Sequence, residues 1–189
     1  MAMVLITAPA ALPVTLAEAK AHLRVETPDE DDYITGLLAA ATAHVEGATG
    51  KRLILQQWRV FLDALPTDGP VDIPLGPLIS VDAVRVRDEA GAPVAVDLSG
   101  VAADRHSDPP RLVFDEEPIS GQALNGIEID VTAGYGEAGV DVPDQLRRAV
   151  LVLAAHWHAF RGQASDDALF GTVPRGLAAL LAPFRRARL

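Results

Sequence analysis

Residues whose types and spacing could support chemistry fall in a few places. Gly134-Tyr135-Gly136-Glu137-Ala138-Gly139 spells G-x-G-x-x-G. That pattern cradles a pyrophosphate when a helix opens inside it and its amide ends meet the phosphates. Here the helix-start signals come later, at Asp141 to Pro143. The acid required about 20 residues on would fall within a helix, with no second strand to carry it. The glycines are therefore expected to make a tight strand-to-helix connection. A small hydrolase or nucleotide-binding enzyme using this loop stands as the competing reading. His156-Trp157-His158 resembles a metal pair, but helical residues two apart point about 200° away from each other. His22, His44 and His106 lie in other elements. Asp29-Glu30-Asp31-Asp32 could ligate a cation, yet it lacks the central Gly and terminal Glu of a calcium loop, and helix capping accounts for it. Asp115-Glu116-Glu117 could supply paired carboxylates or end a solvated strand. Ser80, Ser99, Ser107, Ser120 and Ser165 lie in no G-x-S-x-G context. The expectation is no catalytic residue, no cofactor and no metal.

The elements that would position these residues can be read from periodicity. Thr15 and Glu18 form a capping box, and a helix over 16–24 follows with Leu16, Ala19 and Leu23 on one face. Thr27-Pro28-Asp29-Glu30 repeats the device ahead of a helix over 28–46, whose apolar set is Ile34, Leu37, Leu38, Ala41 and Val45. Gly47 or Gly50 can end it. From Gln56 the period becomes two. Strands are expected at 58–62, 71–75, 79–87, 94–98, 111–114 and 127–132, with 99–110 as an exposed loop. A long helix over 143–161 carries Leu146, Ala149, Val150, Leu153, Ala154, Trp157 and Phe160 on one stripe. Leu151, Val152 and Ala155 lie opposite. Such a helix wants cover on most sides, here from its own sheet and from a neighbouring subunit. A short helix over 174–182 stops at Pro183. The fold class is α+β: a helical bundle (two N-terminal helices, one long and one short C-terminal helix) with an inserted small antiparallel β-sheet at about 56–132, forming one domain over 1–189.

Composition bounds the function. The chain has 189 residues, 49% hydrophobic, so a real core can form. It has no cysteine, which excludes disulfides and thiol chemistry. The apolar N-terminal run to Pro13 is too short to span a bilayer and carries no basic residue ahead of it, so no membrane association and a cytoplasmic setting are expected. A net charge of −10 argues against a general nucleic-acid grip. The charge is uneven: residues 1–50 carry −5, 51–141 carry −9 and 142–189 carry +4. A basic tail on an acidic body suits docking onto an acidic partner or another copy. Solubilising a frayed end is the plainer alternative.

The order of segments carries more than any one motif. Pro13-Val14-Thr15-Leu16-Ala17-Glu18-Ala19-Lys20-Ala21-His22-Leu23-Arg24-Val25 resembles the opening of the head–tail connector (adaptor) proteins of long-tailed bacteriophages, prophages and gene transfer agents. Asp32-Tyr33-Ile34, Ala39–Ala41, Val45–Gly50, Thr132–Gly136, Val142-Pro143, the His156–His158 helix and Leu180–Arg185 continue the likeness. The resemblance is weakest over 63–130. It implies a structural protein that forms a ring, generally of twelve, beneath the portal. Such a ring extends the DNA channel without sequence-specific binding and offers a platform to a tail-side stopper or tail protein. It implies a virion component assembled in the bacterial cytoplasm. A tail-completion or stopper protein of the same particle is the nearest alternative. The C-terminal segment, 182–189 by position, would contact the portal. On that footing Phe184 is the expected apolar anchor, with Arg185, Arg186, Arg188 and Leu189 beside it. Leu37, Leu38, Leu151, Val152 and Ala155 are the expected subunit-interface residues.

Overall fold

A computed structural model describes residues 1–66, 69–160 and 174–185. The chain divides into two compact units, one of residues 1–10 and 55–134, the other of 11–54 and 135–189.

The second unit is helical. Helix α1 (Leu16–Leu23) starts on the expected capping box. The Thr15 amide donates to Glu18 Oε2 at 2.8 Å, and the Glu18 amide donates to Thr15 Oγ1 at 3.2 Å. Arg24 closes α1 in the left-handed region, φ 59°. The second expected box does not form. Pro28–Glu30 is a 3-10 turn, Thr27 caps nothing with its side chain, and α2 (Asp31–Thr49) follows with Glu30 as its N-cap residue. The Glu30 carboxylate goes to His158 instead, 2.8 Å away, and Asp31 pairs with Lys20. Helix α2 runs three residues past the expected end and stops at Gly50, φ 71°, whose amide donates to the Glu46 carbonyl at 2.8 Å. Helix α3 spans Asp144–Ala159 and helix α4 Arg175–Leu181, followed by a 3-10 turn, Ala182–Phe184. Ile34, Leu38, Ala41 and Val45 of α2 bury together with Leu146, Ala149, Val150 and Leu153 of α3 and with Leu177 and Leu181 of α4. The long stripe read from the sequence is thus the seam of this core, and its cover comes from α2 and α4 where a sheet was expected.

The first unit is built of strands. Strand β1 (Ala2–Thr7) joins β2 (Gln56–Leu62), β8 (Ile127–Ala133), β4 (Leu78–Arg87) and β5 (Pro93–Val96) in one antiparallel sheet of order β1-β2-β8-β4-β5. A second sheet has the order β3 (Val71–Asp72), β7 (Arg111–Phe114), β6 (Val101–Asp104). The central strand β8 is buried along nearly its whole length, with Ile127, Ile129 and Val131 in the core and Glu128 and Asp130 under arginines of β2 and β4. Val60, Val84, Ile127, Ile129 and Val131 of the larger sheet share a core with Val71, Ile73 and Leu112.

Three expectations for this region are corrected. The block holds two sheets. The presumed loop 99–110 contains a 3-10 turn (Leu98–Gly100) and β6. The presumed strand 71–75 pairs only at Val71–Asp72. Ile73 and Leu75 are buried without a strand partner, although the Ile73 amide still donates to the Pro110 carbonyl at 2.8 Å.

Candidate functional site

The glycine motif makes a connection. Gly134 ends β8 at φ 143°. A Cβ on Gly136 would sit 2.2 Å from Asp141 Oδ2, and one on Gly139 would sit 2.5 Å from the Pro13 carbonyl oxygen. Close approach of this chain's own atoms therefore accounts for glycine at both positions. Gly139–Asp141 is only a 3-10 turn, and α3 begins at Asp144, so no helix amide end meets the motif.

The three residues of His156-Trp157-His158 diverge as helical geometry requires. The His156 ring packs on Phe160 at 4.7 Å, Trp157 lies edge-on to His44 at 6.2 Å, and His158 lies 6.1 Å from Tyr33. Among the described residues no group of three or more His, Asp or Glu could hold an ion. No described helix is long and apolar enough to cross a membrane.

What the chain does offer is surface. On α3, Leu151, Val152 and Ala155 are half-buried. Leu151 packs partly against the helical core and, with Leu180 of α4, lines a shallow groove of about 430 Å³ edged by Asp144, Gln145, Arg147 and Arg148. Leu37 is half-buried against the same core. Leu38 is fully buried inside its own unit, because its position on α2 faces α3, and it has no outer surface to give a neighbour. Phe184 is half-buried against the helical core, and Arg185 is exposed. Arg186, Arg188 and Leu189 lie outside the described residues.

Two surfaces of the β unit escaped the sequence reading. One is β1, in which all six residues are exposed, among them Met3, Val4, Leu5 and Ile6. It pairs with β2 on one side and stands at the sheet's edge on the other. An apolar run of four to eight residues ending near a proline was the available signal. The other is a charged ladder across β2, β8 and β4. Asp130 accepts from Arg59 Nε at 2.6 Å and from Arg85 Nη1 at 2.7 Å. Glu128 accepts from Arg87 Nε at 2.9 Å and lies 3.3 Å from Arg59 Nη1. Burial opposes ionisation of Asp130, but the hydrogen bonds from Arg59 and Arg85 outweigh it and hold the carboxyl below its usual range. The period-two pattern of Arg85 and Arg87 pointed to a strand, though not to partners 41 and 45 positions away.

A chain whose conspicuous features are exposed apolar and charged faces fits a structural connector. The comparisons agree. The family model of phage gp6-like head-tail connector proteins matches residues 13–92. Among solved structures, this chain is similar to one in the neck of an empty gene transfer agent particle computed with C6 symmetry (31% identity, 100% of this chain and 97% of that one, TM-score 0.86). It is similar also to a chain in the virion of a native gene transfer agent particle (30% identity, the same coverage, TM-score 0.82) and to one in the neck of a native particle computed with C12 symmetry (31% identity, the same coverage, TM-score 0.79). No curated protein matches. The chain belongs to the head–tail connector family and joins head to tail in a phage-like particle.

Proposed function

We propose that the chain is the adaptor subunit of a ring of twelve seated beneath the portal, with residues 1–189 acting as one adaptor domain. The ring extends the DNA channel and passes the DNA without reading its sequence. It meets the portal on the head side and a stopper or tail protein on the other. Its work is structural, without a catalytic step or cofactor, and it assembles into the particle in the bacterial cytoplasm. The observation that carries this reading is the end-to-end likeness to a particle-neck chain at 31% identity and TM-score 0.86.

Physical chemistry supports it. The net charge of −9 over 51–141 suits a wall that DNA slides past, since a cationic wall would hold phosphates. A ring repeats one heterologous contact until it closes, and Leu37, Leu151, Val152 and Ala155 supply half-buried apolar area for it. The tail arginines suit charge-assisted bonds to portal carboxylates, with Phe184 leaving its partial cover to anchor them.

Particles made without this chain should accumulate as separate heads and tails, and normally joined particles would refute the reading. Reversing Arg185, Arg186 and Arg188 to Glu leaves Phe184 in place. It should keep the melting temperature and abolish co-purification with the portal, whereas retained attachment would contradict the tail contact.

A further inference from the structure

The loop 115–126 between β7 and β8 combines two properties that rarely coincide. It is firmly held. The Gly121 amide donates to the Arg87 carbonyl at 2.7 Å, and Ser120 Oγ donates to the same carbonyl at 3.1 Å. Gln122 Nε2 donates to the carbonyls of Asp88 and Glu89 at 3.2 Å, and the Asn125 amide donates to Asp63 Oδ1 at 2.7 Å. A Cβ on Gly121 would lie 2.4 Å from the Glu89 amide nitrogen, so the loop is pressed against the β4–β5 turn. Yet it holds two aliphatic side chains in water, Ile119 at 87% exposure and Leu124 at 74%. Its leading acids, Asp115, Glu116 and Glu117, are exposed and pair with no cation among the described residues. A pinned loop with an apolar tip and free acids has little ordering entropy left to lose on docking.

The complement lies in the helical unit. Leu151 and Leu180 floor the α3–α4 groove. Of its two arginines, Arg147 is engaged by Glu18 and by Asp144, the latter at 3.4 Å. Arg148 is exposed and pairs with no carboxylate among the described residues. The knob belongs to the stretch of net −9 and the groove to the stretch of net +4. A closed ring needs each copy to carry a surface and a different, complementary one.

We propose that loop 115–126 of one copy docks in the α3–α4 groove of the next, Ile119 entering beside Leu151 and Leu180 while Glu116 and Glu117 meet Arg148. The inference rests on the ring reading above and names its repeating contact.

The chain has no cysteine, so a disulfide trap is clean. Full-length chain carrying Ile119→Cys with Leu180→Cys, and a second version with Leu151→Cys, would be built into particles and oxidised. A covalent ladder of copies rising toward a closed ring is expected. Ile119→Cys with Val140→Cys, at an 83% exposed site outside the groove, should give none. Intact necks with no ladder from either version, or with an equal ladder from the control, would overturn the contact and leave the ring reading standing. Wild-type particles whose necks lack a ring of this chain would overturn both. Arg148→Glu should reduce joined particles about tenfold, and adding Glu116→Arg and Glu117→Arg should restore them. No loss, or no recovery when both single-side variants keep the wild-type melting temperature, would also count against the proposal.

Discussion

The helical unit and the strand unit solve the same problem with different materials. The first hides aliphatic side chains along α2, α3 and α4 and sets its carboxylates near helix ends, Glu18 at Thr15, Glu30 at His158 and a single buried one among the described residues, Glu46, at Arg52 and the Leu53 amide. The second buries two carboxylates in the middle of its sheet. Glu128 is 1% exposed and Asp130 is 8% exposed, each held by arginines from the strands on either side. A one-residue slip of β8 would turn both carboxylates into the apolar core and bring Ile129 to the arginines. The ladder thus specifies register as well as stability. Helices need no such device, because their hydrogen bonds close locally.

The comparison can be broken by perturbing each unit in turn. Each unit holds one of the two tryptophans, Trp58 in the sheet and Trp157 in α3, so Trp→Phe backgrounds give a separate fluorescence reporter for each. The largest effect is expected from Leu153→Ala. This side chain is fully buried in the helical core, and its truncation should cost about 3–4 kcal/mol. In urea titrations the Trp157 transition should move more than the Trp58 transition. Equal shifts would show that the units melt as one.

Next is Asp130→Asn, which strips a buried charge from its arginines and should cost about 3 kcal/mol, read chiefly by Trp58. The same site predicts a pH response. Its folded carboxyl titrates below the ordinary 3.8, so its stabilisation is complete above that value and drains as pH falls through the folded value. Chemical denaturation from about pH 5 to about pH 3 should show the sheet weakening, with a shallower slope in Asp130→Asn. An unchanged slope would remove the ladder from the argument. The smallest effect belongs to Thr15→Ala, which deletes one cap of α1 and should cost about 1 kcal/mol, seen in the Trp157 transition.

The contrast also explains what could be read in advance. Helix α1, helix α3 and the stripe Leu146 to Ala154 followed from 3.6-residue spacing, because a helix is decided by residues within a turn or two of each other. Strand β7 was legible at its observed bounds, 111–114. The order of the sheet was not, since β2 and β8 pair Arg59 with Asp130 across 71 positions. Strand β6 hid in a polar stretch without a period because its four residues owe their conformation to β7. The second capping box is absent: Thr27 makes no side-chain cap bond, and the Glu30 carboxylate contacts His158, 128 positions away, which local spacing does not reveal. Of the expected interface residues, Leu38 was misplaced because periodicity gives a helix its apolar face without saying which partner covers it. The resemblance to the connector family read from the sequence rests on the order of segments along nearly the whole chain, so these local differences did not disturb it.

Strand β1 bears on how the free chain behaves in bulk. Among the described residues no strand pairs with its outer edge, and Ala2–Thr7 holds no charged residue; an unguarded apolar edge templates sheet-to-sheet joining. Concentrated stocks should therefore cloud from this end first. A single lysine at Val4 should keep them clear, by the same guard that natural sheets place on strands left open to water.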